Sequence, residues 1–239
     1  MTTNTKITLY YNGMSQPSRS VQALLEVSGL NYDMKVVGLL QNDHRRPYFK
    51  LVNPNQSIPG MVDAKPNGVP FAIYESGAML RYICNKYLPA DNEFYPRNNP
   101  VLNAKIEEKM RFYHKRVRPG TRTFYFRNIA PFLGLVDRFD HDEDIRLTHE
   151  ICKEVEDILD ENGGWIVEKG RLTIADILIF NEIISYGLGD VDLKSYQKIK
   201  KWMLEIIDRD GIKKTLEELK GIIIGLENQL LPFDPKEAL

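Results

Sequence analysis

With 239 residues, 43% hydrophobic and 27% charged, the chain has room for one large globular domain or two modest ones. A formal net charge of −1 gives no general attraction to nucleic acid or anionic membrane, so neither is expected as a partner. Cys84 and Cys152 stand far apart and outside any CxxC spacing, which excludes a disulfide framework and a zinc-finger pattern and suits a reducing compartment.

The polar start, Met1 to Lys6, has no apolar signal core. No apolar run is long enough to cross a bilayer, so the expected location is the cytoplasm. Ile7, Leu9 and Tyr11 alternate with polar neighbours and predict a strand. Pro17 stands where the first position of a helix would be. Val21, Leu24, Leu25 and Ser28 keep helical spacing, and Gly29 supplies the stop. Tyr32, Met34 and Val36 alternate as a second strand, and Asp43 to Val52 predicts a short, weaker helix. Two apolar runs, Pro59 to Asp63 and Phe71 to Tyr74, flank the turn-forming Pro66-Asn67-Gly68 and predict an antiparallel hairpin. From Ser76 a further helix carries Met79, Leu80, Ile83 and Tyr87 on one face.

The order β-α-β-α-β-β-α is that of a thioredoxin-like fold; periodicity alone gives a small α/β domain. Polar residues 89–100 predict a linker, dividing an α/β domain at 1–88 from an all-helical domain at 101–239. The expected helices there are Lys105 to Arg127, Asp144 to Glu161, Thr173 to Tyr186, Ser195 to Arg209 and Lys213 to Gln229. Thr173-Ile174-Ala175-Asp176 has capping-box spacing, with Leu172 and Ile177 placed as a hydrophobic staple. Asp140-His141-Asp142 reads as an acidic helix start in preference to a metal site, and no metal is expected.

The segment Tyr10-Tyr11-Asn12-Gly13-Met14-Ser15-Gln16-Pro17-Ser18-Arg19 resembles the N-terminal segment of theta-class glutathione transferases. In that class a serine followed by Gln-Pro, a small residue and Arg marks the active site. Asp43-His44-Arg45-Arg46 is similar to the family's Gln-His-Lys stretch, and Asn53 to Pro59 resembles its loop before the cis-proline. Tyr74-Glu75-Ser76-Gly77-Ala78 is similar to its helix-opening Glu-Ser pair. The resemblance keeps order and spacing from Ile7 to Tyr87. In the helical half it is looser, carried by Val117-Arg118-Pro119-Gly120 and Ile129 to Leu135. Asn53-Pro54-Asn55 and the context Ile73 to Gly77 also resemble fungal nitrogen-regulator-like transferases, which do not use this serine. Lys115 stands where some theta members offer an acidic residue to the partner subunit.

The resemblance implies glutathione as co-substrate, a small electrophile as its partner in reaction, and a homodimer. Only a thiolate is a competent nucleophile, and the Ser15 hydroxyl, just before a Pro-started helix, could stabilise that anion by a hydrogen bond. On cap preference alone Ser15 would merely cap the helix, and Tyr10 and Tyr11 are rivals; Tyr11 shares the parity of the apolar strand face. The family pattern assigns His44 and Arg45 to the glycyl carboxylate, and Ile58 and Pro59 to the cysteinyl unit through a cis step. It assigns Glu75 and Ser76 to the γ-glutamyl end. Arg118, one of a run of cations from Lys109 to Arg127, matches an arginine near the thiol. The electrophile is expected on apolar residues such as Phe112, Phe124 and Phe126. Two further functions stay open. One is glutathione-dependent peroxide or disulfide reduction, and the other a non-catalytic glutathione-binding regulator or a module like those on translation elongation factor gamma subunits.

Overall fold

The computed structural model describes residues 7–39, 41–64, 69–128, 141–189 and 191–226. The expected turn Pro66-Asn67-Gly68 and the segment Ile129 to Leu135 lie outside these residues, as do Asp140 and the end of the last expected helix. Strands β1 (Ile7–Tyr11), β2 (Tyr32–Val36), β3 (Gly60–Ala64) and β4 (Pro70–Tyr74) form one sheet in the order β2-β1-β3-β4. β1 and β2 are parallel, and helix α1 (Gln16–Val27) is the crossover that a parallel pair requires. β3 runs antiparallel to both β1 and β4, with Met61 opposite Leu9 on one side and Ile73 on the other. Helix α2 (Ser76–Tyr87) follows at once.

Alternation in β1 translates into burial of Ile7, Leu9 and Tyr11. In β2 it does not: Met34 is 40% exposed and Val36 70%. β2 is an edge strand, whereas α1 packs on β1 and α2 on β4. The expected helix at Asp43 to Val52 is two 3-10 turns, Asp43–Arg45 and Pro47–Leu51. Pro47 holds the preceding Arg46 extended (φ −70°, ψ 150°), which splits the segment.

Residues 89–99 are tied down by side-chain bonds. Arg97 donates to the carbonyls of Cys84, Asn85 and Leu88 at the end of α2. The Asn99 side chain accepts from Leu102 N at 3.0 Å and caps α3 (Pro100–Phe112), which therefore begins at Pro100 and not at Lys105. The long helix expected through Arg127 is also interrupted. After α3 come a π turn, Tyr113–Val117, a 3-10 turn, Arg118–Thr121, and α4 (Arg122–Asn128). Pro119 has no N–H and cannot continue an α-helical ladder.

The remaining helices are α5 (His141–Glu161), α6 (Ile174–Gly187), α7 (Gln197–Ile207) and α8 (Asp210–Leu226). α5 opens on acidic Asp142, Glu143 and Asp144. α6 is buried from Ile174 to Tyr186, as a helix apolar on nearly every side must be. Its capping box is formed: Thr173 Oγ accepts from Asp176 N, and Asp176 accepts from Thr173 N at 3.0 Å. The other Asp176 oxygen accepts from Ile166 N and from Trp202 Nε1, joining α6 to α7. α1 packs on both α6 and α8, so the thioredoxin-like N-terminal domain and the helical C-terminal domain share a continuous core.

Candidate active site

The loop between β1 and α1 is fixed from three sides. Asn12 donates to Val37 O at 2.9 Å and accepts from Met14 N at 3.1 Å. Arg19, fully buried, donates to Gly13 O at 2.7 Å. Its other bonds reach Asn181 and Ser185 on α6. Ser15 is thereby held as the N-cap of α1, half-buried, its Oγ accepting from Ser18 N at a long 3.4 Å. Among the described residues its own O–H has no acceptor. The cap and a donor role are compatible.

The two rival tyrosines are otherwise engaged. Tyr11 is buried and donates to Glu218 on α8 at 3.0 Å; burial first, then that carboxylate, hold its phenol well above the usual range. Tyr10 stacks edge-on against Phe49 at 6.0 Å.

The Ile58-Pro59 bond is cis. Asn53, buried, donates to Ser57 O at 2.6 Å and accepts from Asn55 N at 2.9 Å, which shapes the loop leading into it. Glu75 adopts φ 69° and ψ 110°, a backbone conformation that costs a non-glycine residue about 1–3 kcal/mol and gathers at ligand sites. It turns the chain sharply from β4 into α2, whose first N–H groups have no intrahelical acceptor. Ser76 is buried there and Glu75 exposed.

Ile58, Pro59, Glu75, Ser76 and Arg118 line one cavity of about 200 Å³, together with Pro17, Ser57, Tyr113 and His114. Ser15, His44 and Arg45 are not in its wall. Ser15 adjoins it through Gln16 and Pro17. Arg45 is exposed on the first 3-10 turn, and its carbonyl accepts from Gln56 at 2.8 Å, which links that turn to the cis-proline loop. His44 has its Nδ1 buried without a partner among the described residues. Burial, then Arg45, keep its imidazole below the usual range.

Arg118 reaches the cavity from the helical domain. Its Nη1 donates to Glu182 at 3.1 Å, Thr121 at 2.9 Å and Gln16 at 3.4 Å. Glu182 is fully buried and also accepts from Tyr113 at 3.0 Å. Burial works against the charge on Arg118, but Glu182 and Tyr113 together outweigh it and hold the guanidinium above its usual range. The side chain stays 37% exposed, so the cation is anchored at one nitrogen and still presented to solvent. Arg19, Tyr113, His114 and Glu182 were not among the sequence candidates. Asn181 and Glu182, polar residues inside the apolar run of α6, were the available signal for this buried network.

The expected electrophile surface fits less well. Phe124 is buried and Phe112 packs against the central core, so neither lines the cavity; the Phe126 side chain lies outside the described residues. No group of three or more His, Cys, Asp or Glu residues suited to a metal occurs among the described residues.

Residues 5–85 match the family model described as Glutathione S-transferase, N-terminal domain. The chain is 29% identical over 202 residues to Glutathione S-transferase 2 of Anopheles gambiae, a match covering 83% of this chain and 88% of that protein. Human glutathione-S-transferase T1-1, in its apo form, shares the fold with a TM-score of 0.80 at 22% identity, over 98% of this chain and 96% of its own. Glutathione transferase URE2P8 from Phanerochaete chrysosporium, solved with oxidized glutathione, does so with a TM-score of 0.78 at 20% identity, over 94% and 99%. Sheet order, cis-proline loop and the family model agree over residues 5–85: that part of the chain is a glutathione S-transferase N-terminal domain, and the chain as a whole shares the fold of the human theta-type and fungal glutathione transferases.

Proposed function

We propose that this chain is a glutathione transferase in which the Ser15 hydroxyl donates a hydrogen bond to the glutathione thiolate. The thiolate attacks an electrophilic carbon, a sulfur–carbon bond forms, and the leaving group departs with its electron pair. The observation that carries this reading is the state of the three candidate hydroxyls. Tyr11 keeps its proton and donates it in a hydrogen bond to Glu218, and the Tyr10 ring packs on Phe49, whereas Ser15 stands at the positive end of α1 with its O–H uncommitted among the described residues. In this reading Ile58 pairs its backbone with the cysteinyl unit, and Ser76 and the first N–H groups of α2 take the γ-glutamyl carboxylate. Glu75 takes the ammonium, His44 and Arg45 meet the glycyl carboxylate, and Arg118 steadies an anionic leaving group.

A neutral donor to an ionised acceptor contributes about 1.5–3 kcal/mol. Ser15→Ala is therefore expected to raise the pKa of the bound thiol by about one to two units, read by ultraviolet titration of the glutathione complex. The rate with an aryl halide at neutral pH should fall about ten- to a hundredfold. Tyr11→Phe should leave the thiolate absorbance in place. Loss of that absorbance in the tyrosine variant and not in the serine variant would overturn the assignment.

Reduction of a peroxide or a glutathione mixed disulfide by the same thiolate is the second reading. URE2P8, solved with oxidized glutathione, gives it some support. Turnover of cumene hydroperoxide in place of the halide would favour it. A homodimer fits the exposed apolar residues Tyr48, Leu51, Val69, Tyr74 and Val101, and sedimentation measures it directly. A cytoplasmic location accords with the lack, among the described residues, of a helix long and apolar enough to cross a membrane.

A further inference from the structure

We infer that His114 is a further glutathione-binding residue, which hydrogen-bonds the γ-glutamyl carboxylate from the side facing the first turn of α2. The inference rests on the reading that glutathione occupies the cavity between Pro59 and Arg118.

His114 sits on the π turn between α3 and the turn that carries Arg118. A π turn inserts a residue into helical phasing and recurs at functional sites. Its Nε2 lies 3.5 Å from the point where a Cβ on Gly77 would stand, so the imidazole rests against the first turn of α2. That turn offers the N–H groups without intrahelical acceptors. Among the described residues, His114 and Glu75 alone line both the 200 Å³ cavity and an adjoining one of about 320 Å³, and form the wall between them. The Tyr113 ring meets the imidazole edge-on at 5.1 Å. Among the described residues neither ring nitrogen is hydrogen-bonded, so both are available to a ligand.

The charges around it give the contact a pH signature. Glu75 faces it from the start of α2, Arg81 from α2 itself, Arg111 from α3, and Arg118 from the turn beyond. Glu107 on α3 is committed to Arg81 at 2.5 Å. Partial desolvation and the three arginines hold the imidazole below its usual range, with Glu75 opposing them. A carboxylate placed on the first turn of α2 adds a negative charge beside the ring and favours its protonated form. Binding should then draw a proton from solvent and strengthen as pH falls through the interval between the bound and free pKa values.

S-methylglutathione is the probe, because it has both carboxylates and no titrating thiol. Calorimetric titrations near pH 6, in two buffers of different ionisation enthalpy, read the protons taken up. The wild-type chain should take up protons on binding. His114→Gln should bind about tenfold more weakly and take up fewer protons than the wild-type chain, any uptake from His44 at the glycyl end remaining. His114 is exposed, so the substitution spares the core. Equal affinity and uptake in His114→Gln would remove His114 from the site and leave the glutathione reading standing. No binding by the wild-type chain would overturn both.

Discussion

Arg19 is a fully buried guanidinium whose four bonds all end on neutral oxygens: Gly13 O, Asn181 O and Oδ1, and Ser185 Oγ. Burial brings it down to about 10, still charged at neutral pH. Its planar fork is what lets one side chain hold the β1–α1 loop and α6 together. An ammonium cannot span both. Arg19→Lys should therefore leave buried acceptors unpaired and destabilise the protein by about 2–4 kcal/mol, measured by urea unfolding. Turnover in the surviving fold should also fall, because Gly13 and Ser15 share the loop that Arg19 pins. Unchanged stability would mean that the loop holds itself. At this scale the sequence displayed the residue types of the candidate site: Ile58, Pro59, Glu75, Ser76 and Arg118 line one cavity and Ser15 adjoins it, whereas His44 and Arg45 stand outside its wall. It did not display their partners. Nothing in Arg118-Pro119-Gly120 announces that Glu182 will anchor the guanidinium.

At the scale of elements, α2 is positioned by Asp63 of β3. That buried carboxylate accepts from Tyr82 and Tyr87 at 2.6 Å each and pairs with Lys86, all three on α2. Burial pushes the Asp63 carboxyl up, but the Lys86 ammonium and the two phenols outweigh it and hold it below the usual range. A carboxylate depressed in the folded state stabilises fully above its unfolded value, about 3.9, and loses that contribution as pH falls through the lowered folded value. Lys86 is 37% exposed, so solvent discounts the pair. Asp63→Asn should cost about 1–3 kcal/mol at neutral pH. The gap between variant and wild type in urea midpoints should narrow as pH falls below the unfolded value. A gap independent of pH would assign the loss to packing alone. Element type was largely legible from periodicity, because β1, α1, α2 and α6 each bury one contiguous pattern. The breaks were less so: the π turn at Tyr113–Val117 places His114, and no local spacing encodes an inserted residue.

At the scale of the molecule, the α/β half and the helical half complete each other. α1 buries Ser18 through Leu25 almost entirely, against α6 and α8 as well as β1. Tyr11 and Gln22 share Glu218 of α8, at 3.0 and 2.7 Å. A fragment ending near Pro89 would expose that face of α1 and lose both the Arg19 anchors on α6 and the Arg118 wall. It should unfold at a lower temperature than the full chain and bind glutathione poorly by calorimetry. A fragment that matches the full chain's affinity would show that the helical half adds only the electrophile side.

The sequence by itself determined the order of the four strands and of α1, α2, α5, α6, α7 and α8, the caps at Ser15 and Thr173, and the loop signature around Ile58-Pro59. All are local: each is written within a few residues by periodicity, capping chemistry or turn residues. Tertiary structure alone decided that β2 is an exposed edge, that Tyr11 is spent on Glu218, and that Arg118 leans on Glu182. It also decided that Phe112 and Phe124 pack inward and that His114 faces Gly77. These depend on which residues meet across long loops of chain, where burial and the demand that every buried polar group find a partner select among contacts that no local pattern ranks.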